Sequence, residues 1–469
     1  MKQGYAPTWG WYKEKSEEGY FYDFYAITKK YIVLYDGAEL LDEGILSATD
    51  ILDLNSFSVD GTGKVALANG GSLQAPKVMG DLHIDASNVA GFDTTYTMAD
   101  AIQSQDVSEL NLISDSHLFN ASLADNGSDV VMTMKSFDDV VDNKSLASFL
   151  TNNYAAGNNE AFFSELKSFG DAAAFTSAVN SIMASDVITK FAHEDISAMR
   201  EINFTMNAAM FANDDKQVFE TQGTVNGFNF KDNNNSSGQY ALGTKRISPN
   251  WKVGYAMSKA NINTDNDNDT TRHNEMFHVF APIGYERNGI KLISTPQIGF
   301  ARGHYTRKGY NDTSYNGVIE KRIFALMNEA RYPIEVGSFE IAPTVEFNAI
   351  AFNQRGSEGN KAYALTMPSD NQLSVEAGLG LHANKQIGNV NLNAGLMVYK
   401  EFADPYNVKM GMRGMDGSFN LYDDTNEYRG VATFGFDYDM NEWNLYGTVQ
   451  HFMESDTHTN VKTGLKYKF

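Results

Sequence analysis

The sequence predicts a mainly β protein: a twelve-stranded antiparallel transmembrane β-barrel with a helix in its pore, preceded by an α-helical connector and a short β-helix-like region. Three observations carry this. Segments that alternate apolar and polar residues fill 217–469, the connections between them alternate short and long, and one long charged helix-forming stretch directly precedes them.

Composition narrows the class. The 469 residues carry 37 Lys+Arg against 59 Asp+Glu, a net charge of −22, which argues against a nucleic-acid partner. There is no cysteine, so disulfides, thiol nucleophiles and Cys-based zinc sites are excluded. No run of about 18 apolar residues exists to make a spanning helix, but a barrel needs only alternating segments of roughly 10 residues.

The alternation is clearest in four stretches. In "WKVGYAMSK" Trp251, Val253, Tyr255 and Met257 oppose Lys252, Gly254, Ala256 and Ser258. In "LSVEAGLGLHA" Leu373, Val375, Ala377, Leu379 and Leu381 oppose Ser374, Glu376, Gly378, Gly380 and His382. "VNLNAGLMV" and "YRGVATFGFDY" repeat the pattern. A soluble sandwich also alternates, so the connections matter more. Short turns are expected at 248–250, 287–289, 336–337, 388–389 and 439–441, and long polar loops at 231–238, 264–274, 308–317, 354–371 and 403–426. Trp251, Tyr285, Tyr332, Phe339, Tyr438, Trp443 and Phe469 gather at the short-turn end, where an interfacial girdle belongs. Counting from Gln217 gives twelve strands, with bulges expected at Pro282, Pro296 and Pro343.

Upstream, the division reads 1–30 of uncertain structure, 31–140 β-rich as stacked rungs or hairpins, 141–184 an α-helical connector, and 185–213 a single helix. That helix, Ser185 to Ala212, would span roughly 42 Å, enough to thread a barrel. Its polar residues include Glu194, Arg200, Glu201, Asn203 and Asn207; taken alone, the segment also fits a surface amphipathic helix. The first thirty residues hold no apolar stretch of roughly 7 to 15 residues, so a secretory signal is not among them and Met1 is expected to open a piece of a longer precursor.

The whole arrangement resembles the C-terminal part of classical autotransporters, the type V secretion family. The end of the chain carries the strongest motif: Lys462-x-Gly464-x-x-Tyr467-x-Phe469 is similar to the outer-membrane β-signal, polar-x-Gly-x-x-aromatic-x-aromatic. The resemblance implies a translocator in the outer membrane of a Gram-negative bacterium that secretes or anchors its own N-terminal passenger at the cell surface. Outer-membrane lipid, the barrel assembly machinery and the passenger are the implied partners, with Gly464, Tyr467 and Phe469 as the assembly signal. It also implies that the pore helix is the trailing end of the passenger. Some members cut the passenger at an Asn-Asn pair in this helix; here Asn203 and Asn207 are separate, so that cut is not expected.

No cofactor or metal is expected. None of the nine histidines sits in HExxH or beside a GxSxG serine, and His278 and His382 fall on lumen faces. Asp265, Asp267 and Asp269 have the opening spacing of a calcium loop, but Thr270 and Met276 replace the required glycine and glutamate. The domain itself is thus not expected to be an enzyme. Two other classes stay open, a porin or channel and an outer-membrane enzyme, the latter with only His304 and Asp312 as weak candidates.

Overall fold

The computed structural model describes residues 71–86, 89–183, 185–211, 218–229, 233–266, 270–309, 313–403, 405–422, 427–453 and 457–468, with short segments at 12–13, 21–22, 26–27, 39–40, 45–47, 51–57 and 65–67. Two compact units result, one reaching Val179 and including Gly414–Asp416, the other Asn180–Arg413 with Gly417–Phe469.

The first unit contains both stacked rungs and a hairpin sheet. Ile45–Ser47 pairs in parallel with Ser72–Gln74, and that with Ile102–Gln103, while Lys77–Ile84 pairs in parallel with Ile51–Asp53, Val65–Leu67 and Leu110–Ser114. Short parallel strands bury one aliphatic file each: Leu46, Leu73 and Ile102 stack without solvent exposure. Asn55 and Asp81 knit one corner, the Asp81 N–H donating to Asn55 Oδ1 at 3.0 Å and Asn111 Nδ2 to Asp81 Oδ1 at 2.9 Å. Gly80, at φ +96° against Asn55, is the residue that lets the two turns meet. An antiparallel sheet of Thr95–Met98, Val130–Met134 and Phe119–Leu123 follows.

Helices α1 (Lys144–Ala156), α2 (Glu160–Lys167) and α3 (Ala172–Met183) come next. Asn143 caps α1 by accepting from the Leu146 N–H, and Gly157 in the left-handed region ends it. Phe92, Phe137, Tyr154, Phe162 and Phe163 form a mutually edge-packed cluster against α1 and α2. Lys167 is buried beside it, its ammonium donating to the Val89 and Gly91 carbonyls; burial lowers its pKa.

In the second unit, strands β1 (Val218–Asn229), β2 (Asn233–Ser248), β3 (Trp251–Asn266), β4 (Thr270–Phe280), β5 (Ile283–Arg287), β6 (Ile290–Lys308), β7 (Ser314–Arg331), β8 (Phe339–Ser357), β9 (Leu365–Ile387), β10 (Val390–Glu401), β11 (Tyr428–Met440), β12 (Trp443–Met453) and β13 (His458–Lys468) pair antiparallel. β4 and β5 both bridge β3 and β6. Because β1 also pairs with β13, from Val218↔Lys468 to Asn229↔His458, the sheet closes on itself. Its outer face is apolar: Tyr255, Met257, Phe300, Phe324, Leu379, Leu381, Leu396 and Phe434 are exposed. Its inner face is polar: Lys252, Ser258, Arg272, His278, Lys321, Ser374, Glu376 and His382 are buried. A protein in water hides the first set and shows the second, so the inversion marks a barrel built for lipid. Among the described residues no helix is long and apolar enough to cross a membrane.

Several details differ from the sequence reading. Residues 233–238 and 264–266 with 270–274 are not loops but paired ends of β2, β3 and β4, polar on both faces and therefore without a hydropathy alternation. The 403–426 segment contains a hairpin of Val408–Met412 and Phe419–Leu421, whose Met412 pairs with Leu365. Pro296 and Pro343 sit in unshifted register with Leu326 and Leu381; the neighbouring strand breaks instead, at Ala281-Pro282 opposite Pro296 and at Tyr332-Pro333 opposite Pro343. Of the short turns, Asn288-Gly289 takes positive φ at both positions, as a two-residue hairpin of its twist requires.

Candidate functional site: the plugged lumen

The helix before the barrel is α4, Lys190–Phe211, led by a turn at Ser185–Ile188. Its side chains reach walls on every side of the ring. Glu194 accepts from Arg272 of β4 at 2.7 Å and from Asn274 Nδ2 at 3.2 Å. Arg200 lies 2.7 Å from Glu376 of β9 and 3.2 Å from Glu401 of β10. Glu201 faces Lys462 of β13, which donates to its backbone carbonyl at 3.1 Å with the carboxylate 3.9 Å away. Asn203 accepts from Gln297 of β6 at 3.5 Å, and Asn207 donates to Glu329 of β7 at 2.6 Å. A rod that touches opposite walls of a closed cylinder lies inside it.

Four contacts that sequence reasoning missed complete the seat. Asp195 is buried against Lys321 at 2.6 Å and accepts from Asn274 at 2.9 Å. At the other end, Lys252 Nζ donates to the Ala209 carbonyl at 2.9 Å and Lys291 Nζ to the Phe211 carbonyl at 3.4 Å, satisfying acceptors that a helix C-terminus leaves open. For Lys252, Lys291 and Lys462 the signal was present, since each stands on the polar side of an alternating strand; Arg272 lies where both faces are polar, and Lys321 shares its side with Ile319 and Ile323. Of the other inward wall groups, Lys466 pairs with Asp437 at 2.6 Å, and Glu346 accepts from Asn348 at 3.3 Å. Arg429 meets Glu376 at 2.8 Å. Apolar contact fills the rest, with Ala192, Ile196 and Met199 against Met276, Ala301, Ile323 and Ile350. Phe191 fits only because residue 303 is glycine: a Cβ there would lie 2.4 Å from its ring.

At the terminal strand Gly464 leaves space beneath Tyr446, whose Cζ would sit 2.4 Å from an added Cβ; Tyr446 in turn shares a 3.0 Å hydroxyl contact with Tyr240. Tyr467 packs on Trp443 with centroids 4.7 Å apart, as Trp251 does on Tyr285, making two aromatic pairs of the short-turn girdle. Phe469, Asp312, Asp267 and Asp269 lie outside the described residues, while His304 is exposed on the outer wall. Gly464→Ala is expected to displace Tyr446 and cost about 1–3 kcal/mol by overpacking, read as a lower temperature for loss of the compact gel form. Unchanged mobility at all temperatures would show that the Tyr446 ring moves aside freely.

Residues 208–450 match the autotransporter β-domain family, more than half of the chain. The chain belongs to the autotransporter family. The translocator domain of the Neisseria meningitidis autotransporter NalP is similar in fold, with a TM-score of 0.50 at 15% identity over 59% of this chain and 96% of that one. The β-domain of the Bordetella autotransporter BrkA gives 0.40 at 13%, over 55% and 100%, and the Escherichia coli AIDA-I transport unit 0.32 at 10%, over 57% and 96%. No curated protein matches. This autotransporter β-domain is thus an outer-membrane translocator with a passenger of its own, and neither a porin nor an outer-membrane enzyme is the favoured reading. The translocator domain is not itself catalytic.

Proposed function

We propose that this autotransporter displays its passenger at the cell surface and holds it there by the helix that remains in the pore. In this reading 31–140 is the passenger's end, 141–184 its helical connector, 185–213 the pore helix and 217–469 the translocator. The set of contacts from Glu194, Arg200, Glu201, Asn203 and Asn207 to separate strands carries the proposal. A segment merely left in a channel needs no such matched partners, whereas an anchor does. Buried ion pairs are costly to break by removing one partner, so their sum opposes withdrawal of the helix. The assembly machinery would read Gly464, Tyr467 and Phe469 in the last strand, since an extended edge with spaced aromatics suits strand addition.

Cysteines introduced at Asn203 and Gln297 test the anchor in a chain that has none of its own. Folded protein in outer membranes should form the crosslink within the chain, with the passenger end accessible to protease on intact cells. No crosslink, together with free labelling of the Asn203 position by a soluble thiol reagent, would place the helix outside the pore in the membrane and end this reading.

A further inference from the structure

The outer wall carries a second, differently built surface. Above the apolar positions of β3, β4, β6, β7 and β8 runs a row of outward charges: Lys259, Glu275, Arg302, Glu320 and Arg355, with Glu275↔Arg302, Arg302↔Glu320 and Glu320↔Arg355 in cross-strand register. Lys259 reaches Glu275 at 3.9 Å and Arg355 reaches Glu320 at 3.0 Å, which uses both carboxylates. His273 also approaches Glu275, at 3.5 Å. Arg302 and Arg322 make no ion pair among the described residues, and both are exposed. Arg322 sits one outward position below Glu320, so the two arginines are diagonal neighbours, about 7–8 Å apart by strand geometry. That spacing lets two guanidinium forks meet across one tetrahedral anion.

Directly beneath lies an aromatic floor. Phe277 and Phe300 are paired in register, Phe300 is paired with Arg322, and Phe324 follows Arg322 on the same face; all three rings are exposed. On β9 to β13 the outward Lys and Arg above the apolar positions reduce, among the described residues, to Lys400, already within 3.8 Å of Glu427. In a chain of net charge −22, a one-sided patch of four cations over exposed phenylalanines is not explained by solubility.

We infer that Arg302 and Arg322, flanked by Lys259 and Arg355, bind the phosphate headgroup of an outer-leaflet glycolipid whose acyl chains lie on Phe277, Phe300 and Phe324. The source is the membrane and not free phosphate, because the floor below the arginines is apolar and continuous with the lipid-facing wall. The inference rests on the outer-membrane orientation, with the short turns in the periplasm.

The test uses the full chain, folded in detergent, and three probes: a bis-phosphorylated glucosamine glycolipid, the same lipid enzymatically dephosphorylated, and inorganic phosphate. Lipid retained per barrel is read by native mass spectrometry across a titration. R302Q/R322Q should weaken retention of the phosphorylated lipid about 30-fold, at roughly 1 kcal/mol for each basic residue. K400Q on the far wall should leave retention unchanged, the dephosphorylated lipid should bind weakly to the unaltered chain, and equimolar inorganic phosphate should not displace the lipid. Equal retention by R302Q/R322Q, equal binding of the dephosphorylated lipid, or displacement by inorganic phosphate would each overturn the site. Heat-shifted gel mobility establishes that every variant is folded. A folded barrel that ignores the phosphorylated lipid refutes the lipid site alone, whereas protein that never reaches the outer membrane in cells refutes the orientation beneath it.

Discussion

Glu376→Ala is expected to destabilise the plugged barrel by about 3–5 kcal/mol and to raise its ion conductance in planar bilayers. Glu376 is 1% exposed and is the common counter-charge of two arginines, Arg200 on the helix at 2.7 Å and Arg429 on β11 at 2.8 Å. Asn348 donates to it as well, at 2.9 Å. Removing the carboxylate leaves two guanidiniums facing each other, with Glu401 held 3.2 Å from Arg200 and already accepting from Ser374 and the Val375 N–H. Repulsion then pushes the helix from the wall, and water follows. The readouts are the temperature at which the compact gel form is lost and the single-channel conductance. Adding Arg200→Met and Arg429→Met to Glu376→Ala should recover part of the lost stability, since the two facing guanidiniums are gone while Glu401, now without its arginine, keeps its bonds from Ser374 and the Val375 N–H. If Glu376→Ala alone matches the unaltered protein in both measurements, the pair does not hold the plug.

Glu358→Ala should have a comparable effect at the long-loop end. Its side chain is fully buried and accepts four hydrogen bonds: Arg307 Nε at 2.5 Å and Nη2 at 2.6 Å, Tyr305 Oη at 3.0 Å and the Leu365 N–H at 2.7 Å. Arg307 also lies over the Tyr315 ring and donates to the Ser181 carbonyl at 2.9 Å, so one ion pair ties β6, β7, β8, β9 and the end of α3 together. Without Glu358, Arg307 stays buried with no counter-charge, a penalty of about 3–5 kcal/mol concentrated in residues 358–365. Limited proteolysis should nick this segment in Glu358→Ala and spare it in the unaltered protein. Equal resistance would show that the Leu365–Met412 pairing suffices to hold the loop.

The barrel was legible because its two faces differ chemically at every second residue, and Trp251 to Ser258 or Leu373 to His382 need no partner to display that. Where both faces carry polar residues the contrast vanishes, which is why 233–238, 264–266 and 270–274 read as loops although their backbone is paired. The polar residues of the helix were likewise visible as a set, since charge in an otherwise apolar segment demands partners. An inward Glu376 could be named as a partner, and Arg200 meets it at 2.7 Å, but most of the pairings were not visible. Glu194 meets Arg272 because cylinder radius and strand stagger decide which inward residue lies level with which turn of the helix. Proline told a similar story: Pro296 and Pro343 mark irregularity, but the break falls on the strand that would have accepted their missing donors.

The seam between β1 and β13 has a kinetic consequence. It joins Val218 to Lys468, so the pairing that completes the cylinder is also the one most distant along the chain of the barrel. Contacts of such high sequence separation form late and slowly, because loop entropy is lost before they give anything in return. Until the last strand has been made and delivered, the nascent sheet keeps two free edges, and each is a template for the wrong neighbour. While that gap is open the helix can enter sideways, whereas after closure the ring leaves it only the path along the barrel axis. The connectivity thus makes closure of the ring the last pairing, and with it the end of sideways access to the lumen.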